Sequence, residues 1–342
     1  MKAIVKKEKK FGGIEVTEVP IPDMDHDEVL VRMHHASICG SDIHAYHYAP
    51  THHFIEPPVI MGHEGSGHVE KVGSSVTGFR PGDRVVIEAI QYCGVCESCM
   101  KGKRHICNRF QIRGMHRDGV FSEYVAVKAP YLHKFPESLS YAQASLVEPV
   151  SVLTHAVLDR SAIGAGDVVL ITGPGPIGIL GAQMVKIAGA EPVVVGVEAD
   201  EAVRMPISRS LGIKTINADR ESIPEFLIKH YNRETVHAVV ECSGAPSAFR
   251  TALDLVVKGG NITLVGLFAK LVEANLSNAV RKEISIHTSF SSDWENFERA
   301  IKLLDRGLFQ IDPLVAHYRP DDAIQAFEDA IAKKVPKPMF DF

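Results

Sequence analysis

The chain has 342 residues, 45% of them hydrophobic and 23% charged, with a formal net charge of −5 at pH 7. That length suggests two domains of ordinary globular composition, and no apolar run reaches the roughly 18–20 residues that a membrane-spanning helix needs. The acidic balance leaves no electrostatic footprint for nucleic acid or an anionic membrane surface. The start, "MKAIVKKEKKFGG", has no apolar core and no small-residue cleavage site, so we read the chain as reduced and cytoplasmic.

The first third reads as β structure with glycine-rich turns. The segments "EVLVRMHHASI" (28–38), "GHVEKVG" (67–73) and "DRVVIE" (83–88) alternate or bunch apolar residues as strands do. Among them stand "SICGSDIH" (37–44) and "MGHEGSGHV" (61–69), and "LVEPVSV" (146–152) follows later. Cys39, His63, Glu64 and Glu148 offer a thiolate, an imidazole and two carboxylates that could converge on one metal. Three protein ligands with an exchangeable water is the pattern of catalytic zinc, which polarises oxygen and lowers the pKa of a bound hydroxyl. Taken singly, Cys39 also reads as a buried thiol and His63 as a satisfied core histidine. In "HAYHYAPTHHF" (44–54), His47, His52 and His53 read as a mobile polar loop and not as ligands.

The stretch "YCGVCESCMKGKRHIC" (92–107) places Cys93, Cys96, Cys99 and Cys107 in the spacing C-x2-C-x2-C-x7-C. Four thiolates so close suit tetrahedral zinc, and a four-ligand site is closed: it stiffens a loop and does no chemistry. An iron–sulfur cluster fits less well, because seven residues precede the fourth cysteine and Asn108 follows it where the ferredoxin run has proline. A nucleic-acid module fits less well too, since Lys101, Lys103 and Arg104 form only a small basic cluster in an acidic chain.

From Ser151 to about His287 the pattern changes to apolar runs separated by helical segments: "VVLIT" (168–172), "VVVGV" (193–197), "VHAVVE" (236–241), "NITLV" (261–265) and "ISIH" (284–287). Continuous apolar runs mean strands buried on both faces, so a doubly wound parallel sheet is expected. "GPGPIG" follows the first run directly and opens a helix at Pro176 and Ile177. In that context Gly173 serves the tight turn, Gly175 the close approach of backbone to a pyrophosphate, and Gly178 helix–strand packing. An acidic residue at the end of the second strand would bind the ribose hydroxyls of NAD. Glu198 is a candidate, while Arg204 could reach the 2′-phosphate of NADP, so the choice of dinucleotide stays open with a lean to NAD. Two amphipathic helices, "DWENFERAIKLLDRG" (293–307) and "AIQAFEDAIAK" (323–333), close the chain.

Together "CGSDIH", "GHEGSGHVEKVGSSVTGFRPGDRV" (62–85), the four-cysteine lobe and "GPGPIG" resemble the zinc-dependent medium-chain dehydrogenases, particularly the polyol and threonine dehydrogenase branch. The resemblance implies a β-rich GroES-like catalytic domain (1–150 and 288–342) and a Rossmann domain (151–287), an α/β architecture with the active site in the cleft. It implies that Cys39 and His63 bind catalytic zinc, with Glu64 a ligand or close neighbour. Glu148 would hold the place of a second cysteine in classical alcohol dehydrogenases and bind zinc directly or through water. Ser41 and His44 match the family's proton relay; locally, Ser41 could instead cap a helix starting near Asp42.

The expected cofactors are two Zn²⁺ per chain with NAD(H) or NADP(H). The expected partners are a small alcohol or ketone and further copies of the chain in a homodimer or homotetramer. A non-catalytic dinucleotide-binding member is the rival from another class, and retention of all four catalytic-site ligand candidates argues against it. In sorbitol dehydrogenases an Arg-Tyr pair precedes the tryptophan that matches Trp294, whereas Ser289 and Phe290 stand here. Serine lacks guanidinium's fork of donors, so sorbitol is expected to be a poor substrate beside another sugar alcohol, a sugar-alcohol phosphate or a small vicinal diol.

Overall fold

The computed structural model describes residues 1–342. Its first region is built on the strands Glu28–Ser37 and Glu64–Val72, which pair antiparallel at the centre of a seven-stranded sheet. Arg84–Ile87 and Leu132–Lys134 extend that sheet on one side, and Lys337–Asp341 with Val315–Tyr318 extend it on the other. A separate three-stranded sheet joins Lys2–Lys6 to Ile14–Glu18 and Val59–Ile60. Ile4, Val31, Met33, Met61, Phe121 and Phe340 fill the core between these layers.

Six parallel strands form the second region, in the order Lys214–Asn217, Glu191–Gly196, Val168–Thr172, Val236–Glu241, Val256–Leu264, Ser285–Thr288. This 3-2-1-4-5-6 order is that of a dinucleotide-binding sheet, with its crevice at the switch point beside the first strand. Five strands fall on the expected apolar runs. The sixth, Lys214–Asn217, was not anticipated, because it has four residues and begins with an exposed lysine. Only Ile216 and Asn217 are buried in it, too short a signal for a strand.

The helix Trp294–Asp305 carries Phe297, Ala300, Ile301 and Leu304 into a core shared with Val169 and Ile171 of the parallel sheet, with Ile179 of the helix Pro176–Ile187, and with Val86 and Met339 of the first region. The two regions are thus joined by one continuous apolar cluster. Beside this joint, at the N-terminal end of the helix Val147–Leu153, the candidate active site is assembled.

Candidate metal centres and active site

The strand Glu28–Ser37 delivers the chain to Cys39, which caps the helix Gly40–Tyr46. Register then pairs Ser37 with Glu64, so His63 and Glu64 arrive beside Cys39 as the next strand begins. The ligand atoms of Cys39, His63 and Glu64 all lie within 4.8 Å of one another. Glu148, buried near the start of its helix, does not join this group. It faces the group electrostatically: burial, with the Glu64 and Asp42 carboxylates, pushes its proton affinity up to about 7.

The surroundings fit a cation. Burial opposes charge on His63, yet Asp42, Cys39 and Glu148 outweigh it and hold this imidazole well above its ordinary value. Three carboxylates and a thiol therefore face one lysine, Lys337. The Oδ1 of Asp42 and Nδ1 of His63 are buried, 3.6 Å apart and without other partners, the arrangement by which a carboxylate orients a metal-binding histidine. The other carboxylate oxygen of Asp42 accepts from the Cys39 amide at 2.9 Å and ties the helix start to the site.

One oxygen of Glu64 is already engaged, accepting from the Ser37 hydroxyl and lying 2.5 Å from Lys337 Nζ. That leaves Oε1 for another task. Ser37, Asp42 and Lys337 were not identified as site residues from the sequence. Asp42 lies inside "CGSDIH" and its acid at a helix start was a usable signal. Lys337 gave none, because only strand pairing near the C-terminus brings it in.

Ser41 Oγ is 3.4 Å from His63 Nε2, beside the cluster. His44 follows one turn later, half-buried, with its ring stacked on His52 at 5.3 Å between centroids. The expectation of a mobile polar loop is corrected for His52, which is 3% exposed and bonded through Nδ1 to Thr51 Oγ1 at 3.0 Å. Burial, then the charges of His44 and His63, lowers His52 to about 4, and burial also lowers His44, so both rings are neutral at pH 7. His47 and His53 are exposed, as expected of that loop.

The lobe brings Cys93, Cys96, Cys99 and Cys107 together, with sulfurs 3.5–3.7 Å apart between Cys96 and Cys99, Cys96 and Cys107, and Cys107 and Cys93. Sulfurs bound to one zinc at about 2.3 Å in a tetrahedron stand roughly 3.8 Å apart. The amides of Cys93 and Arg109 each donate to Cys107 Sγ at 3.3 Å, and backbone N–H groups, first that of Val95, lower Cys93 to about 6. Burial, then hydrogen bonds to Cys96 and Cys107, pushes Cys99 up to about 12, so the thiolate-favouring amides act on Cys93; the convergence of four sulfurs at this spacing fits a closed zinc site.

At the parallel sheet, Gly173 takes φ +90° directly after Val168–Thr172, the left-handed turn that glycine permits. A Cβ on Gly178 would meet the Gly173 carbonyl at 1.9 Å, whereas one on Gly175 would meet nothing within 4 Å. Gly175 thus fronts open space at the N-terminus of the helix Pro176–Ile187, where Pro176 and Ile177 fill the first turn. A pyrophosphate would fit this cradle.

The second strand ends at Gly196 and exposes Val197, with no carboxylate at that position. Glu198 is held by Arg220, whose Nε donates at 2.6 Å, and by Asn217 at 3.0 Å. Arg204 lies 3.7 Å from Asp200, which also binds Lys333 at 2.8 Å. Neither Glu198 nor Arg204 stands free. At the remaining specificity position, Ser289 Oγ is buried without a partner and Phe290 is half-exposed near Phe110.

Two family models match the chain: the alcohol dehydrogenase GroES-like domain over residues 25–137 and the zinc-binding dehydrogenase domain over residues 176–306. A sorbitol dehydrogenase of Halalkalibacterium halodurans is 35% identical over 320 residues, 93% of this chain and 92% of its own length. An L-threonine 3-dehydrogenase of Pyrococcus furiosus is 35% identical over 99% of this chain and 98% of its own. A Sinorhizobium meliloti 1021 protein solved with NADP bound superposes with a TM-score of 0.91 at 28% identity, covering 100% of this chain and 99% of that one.

The chain belongs to the zinc-binding alcohol dehydrogenase family, an NAD(P)-dependent class of oxidoreductase. Within that class it stands with the polyol and threonine dehydrogenases.

Proposed function

We propose that this chain oxidises a secondary alcohol with a second polar group beside it to the ketone, and catalyses the reverse reduction. A zinc ion held by Cys39, His63 and Glu64 would polarise the substrate hydroxyl, and a bound nicotinamide would take the hydride. Ser41 takes the hydroxyl proton and His44, neutral because burial disfavours its charge, receives it and releases it to solvent. Asp42 fixes the His63 ring, Lys337 and Ser37 engage one oxygen of Glu64, and Glu148 stands by as a neighbour of the cluster. Gly173, Gly175, Pro176, Ile177 and Gly178 seat the dinucleotide, with Glu198 and Arg204 at its ribose end. Cys93, Cys96, Cys99 and Cys107 hold structural zinc. Residues 1–150 and 288–342 act as catalytic domain and 151–287 as cofactor domain.

The observation that carries this reading is the convergence of Cys39, His63 and Glu64 within 4.8 Å beside Ser41. Steady-state kcat/KM over sorbitol, xylitol, arabitol phosphates, butanediol and threonine, each with NAD and NADP, tests it. Turnover of at least one substrate is expected, with sorbitol low in the ranking because Ser289 offers no fork of donors. Absence of turnover on the whole panel by zinc-replete protein would count against the reading.

The chain works as a homodimer or homotetramer. Support comes from the edge strand Ser285–Thr288, paired on one side only, with its Ile286 and the Leu276 and Val280 of the helix before it exposed. Six unpaired cysteines accord with a reducing, cytoplasmic setting, and no helix is long and apolar enough to cross a membrane.

A further inference from the structure

Three neighbouring strands of the seven-stranded sheet carry a second convergence of metal-capable side chains. Asp341 stands directly opposite His35 in the antiparallel pair, and the parallel pair sets His317 opposite Met339, two residues from Asp341. Residues two apart on a strand point to one face, so all three side chains share a face of the sheet. His35 Nδ1 and His317 Nδ1 each lie 2.8 Å from the same oxygen, Asp341 Oδ1. The three ligand atoms fall within 4.8 Å of one another, and the rings meet edge to face at 5.8 Å.

We propose that His35, His317 and Asp341 form a third, exchangeable metal site for a first-row transition ion such as Zn²⁺, Ni²⁺ or Cu²⁺. Metal–ligand bonds of about 2.0–2.2 Å set neighbouring donor atoms roughly 3 Å apart, and that spacing is already present on both sides of Asp341 Oδ1. The donors sit on paired backbone, so little chain entropy is lost when an ion arrives. Two imidazoles and one carboxylate select transition ions over Ca²⁺ and Mg²⁺, which take oxygen ligands. No protein group bonds the Nε2 of either ring, so each ring can carry its proton there when Nδ1 binds metal. His317 and Asp341 are exposed, which leaves room for water at the remaining coordination positions and makes the ion reversible.

The consequence lies in the strand that the site grips. Asp341 ends the strand that Lys337 begins, and Lys337 is the cation paired with Glu64. An ion clamped by three strands stabilises the folded chain by an amount that rises with the logarithm of its concentration above Kd, since it binds the folded arrangement of the three donors.

The test uses protein with both zinc sites filled and loosely held metal removed. Titration with Ni²⁺ by calorimetry should show one further equivalent in the parent and at least about tenfold weaker binding in His317→Ala. Cu²⁺ added at one equivalent should show hyperfine coupling to two imidazole nitrogens in the parent and to one in His317→Ala. Asp341→Asn keeps a hydrogen-bond acceptor yet should lose the Ni²⁺-dependent rise in melting temperature. Turnover of these variants should be parental, because none touches the catalytic cluster. Equal Ni²⁺ affinity and an unchanged Cu²⁺ spectrum in His317→Ala would overturn the assignment.

Discussion

Lys337 Nζ lies 2.5 Å from Glu64 Oε2, and the two side chains are only 2% and 1% exposed. Lys337 also donates to the Ile38 carbonyl at 3.1 Å, next to Cys39. The last strand of the chain thus ties the Cys39 segment to the strand that begins at Glu64. Removing one partner of a buried ion pair leaves a charge without compensation. Lys337→Met should therefore cost about 3–5 kcal/mol in urea unfolding and reduce zinc retention. Parental stability and zinc content in this variant would show that the pair does not support the site.

In the lobe, the prediction concerns stoichiometry. Cys99→Ser removes one of four converging sulfurs and should release one tightly held zinc per chain, with lower stability because metal binding and folding are coupled. Metal analysis after chelation of loosely held ions decides it. Equal tightly held zinc in variant and parent would exclude the closed site.

Gly175 separates folding from cofactor binding. Its Cβ would meet no protein atom within 4 Å and its φ of −69° suits any residue, so Gly175→Ala should keep the parental melting temperature. The added methyl enters the space where pyrophosphate would lie, and dinucleotide affinity measured by fluorescence titration should fall about tenfold or more. Unchanged affinity would move the phosphate site away from this turn.

His34 supplies a pH dependence that lies outside the Cys39 cluster and the cysteine lobe. Burial, then the positive fields of His68, His35, Arg32 and Arg84, lowers its pKa to about 4. Its Nε2 meets His68 Nδ1 at 2.8 Å, and its ring stacks on Tyr141. Above the ordinary imidazole range both folded and unfolded chains hold His34 neutral, and the group contributes nothing. As pH falls from about 6.5 toward 4 the unfolded chain takes a proton that the folded chain refuses, so stability is lost across that window. Replacing His34 with Gln should flatten the fall in melting temperature between pH 7 and pH 5. An identical slope in parent and variant would remove His34 as a cause.

The parallel sheet was legible wherever a strand is buried on both faces. "VVLIT" and "VHAVVE" match their observed strands residue for residue, because continuous apolar runs need no tertiary context to be recognised. Lys214–Asn217 escaped because it is short and half-exposed. In the candidate site, the residues legible in advance were those whose chemistry is unusual for their position, such as Cys39, His63 and the four lobe cysteines. The residues that orient them were not, since Lys337 and Ser37 reach Glu64 through strand pairing that no local pattern encodes. His52 was misread because its burial depends on packing against His44 and Phe54, while its neighbours in sequence stay exposed. Glu198 was named for its place after the second strand, and only the structure shows its carboxylate tied to Arg220.

One measurement bears most directly on the proposed active site: turnover and tightly bound zinc of His63→Ala, taken together with its dinucleotide affinity. Loss of one zinc and of nearly all turnover is expected, with dinucleotide affinity retained because the glycine turn lies on the other sheet. Ser41→Ala, measured alongside, should keep its zinc and lose about 10²-fold in kcat, the scale of a proton-transfer step. Parental turnover and parental zinc in His63→Ala would rule out His63 as a ligand of a catalytic zinc.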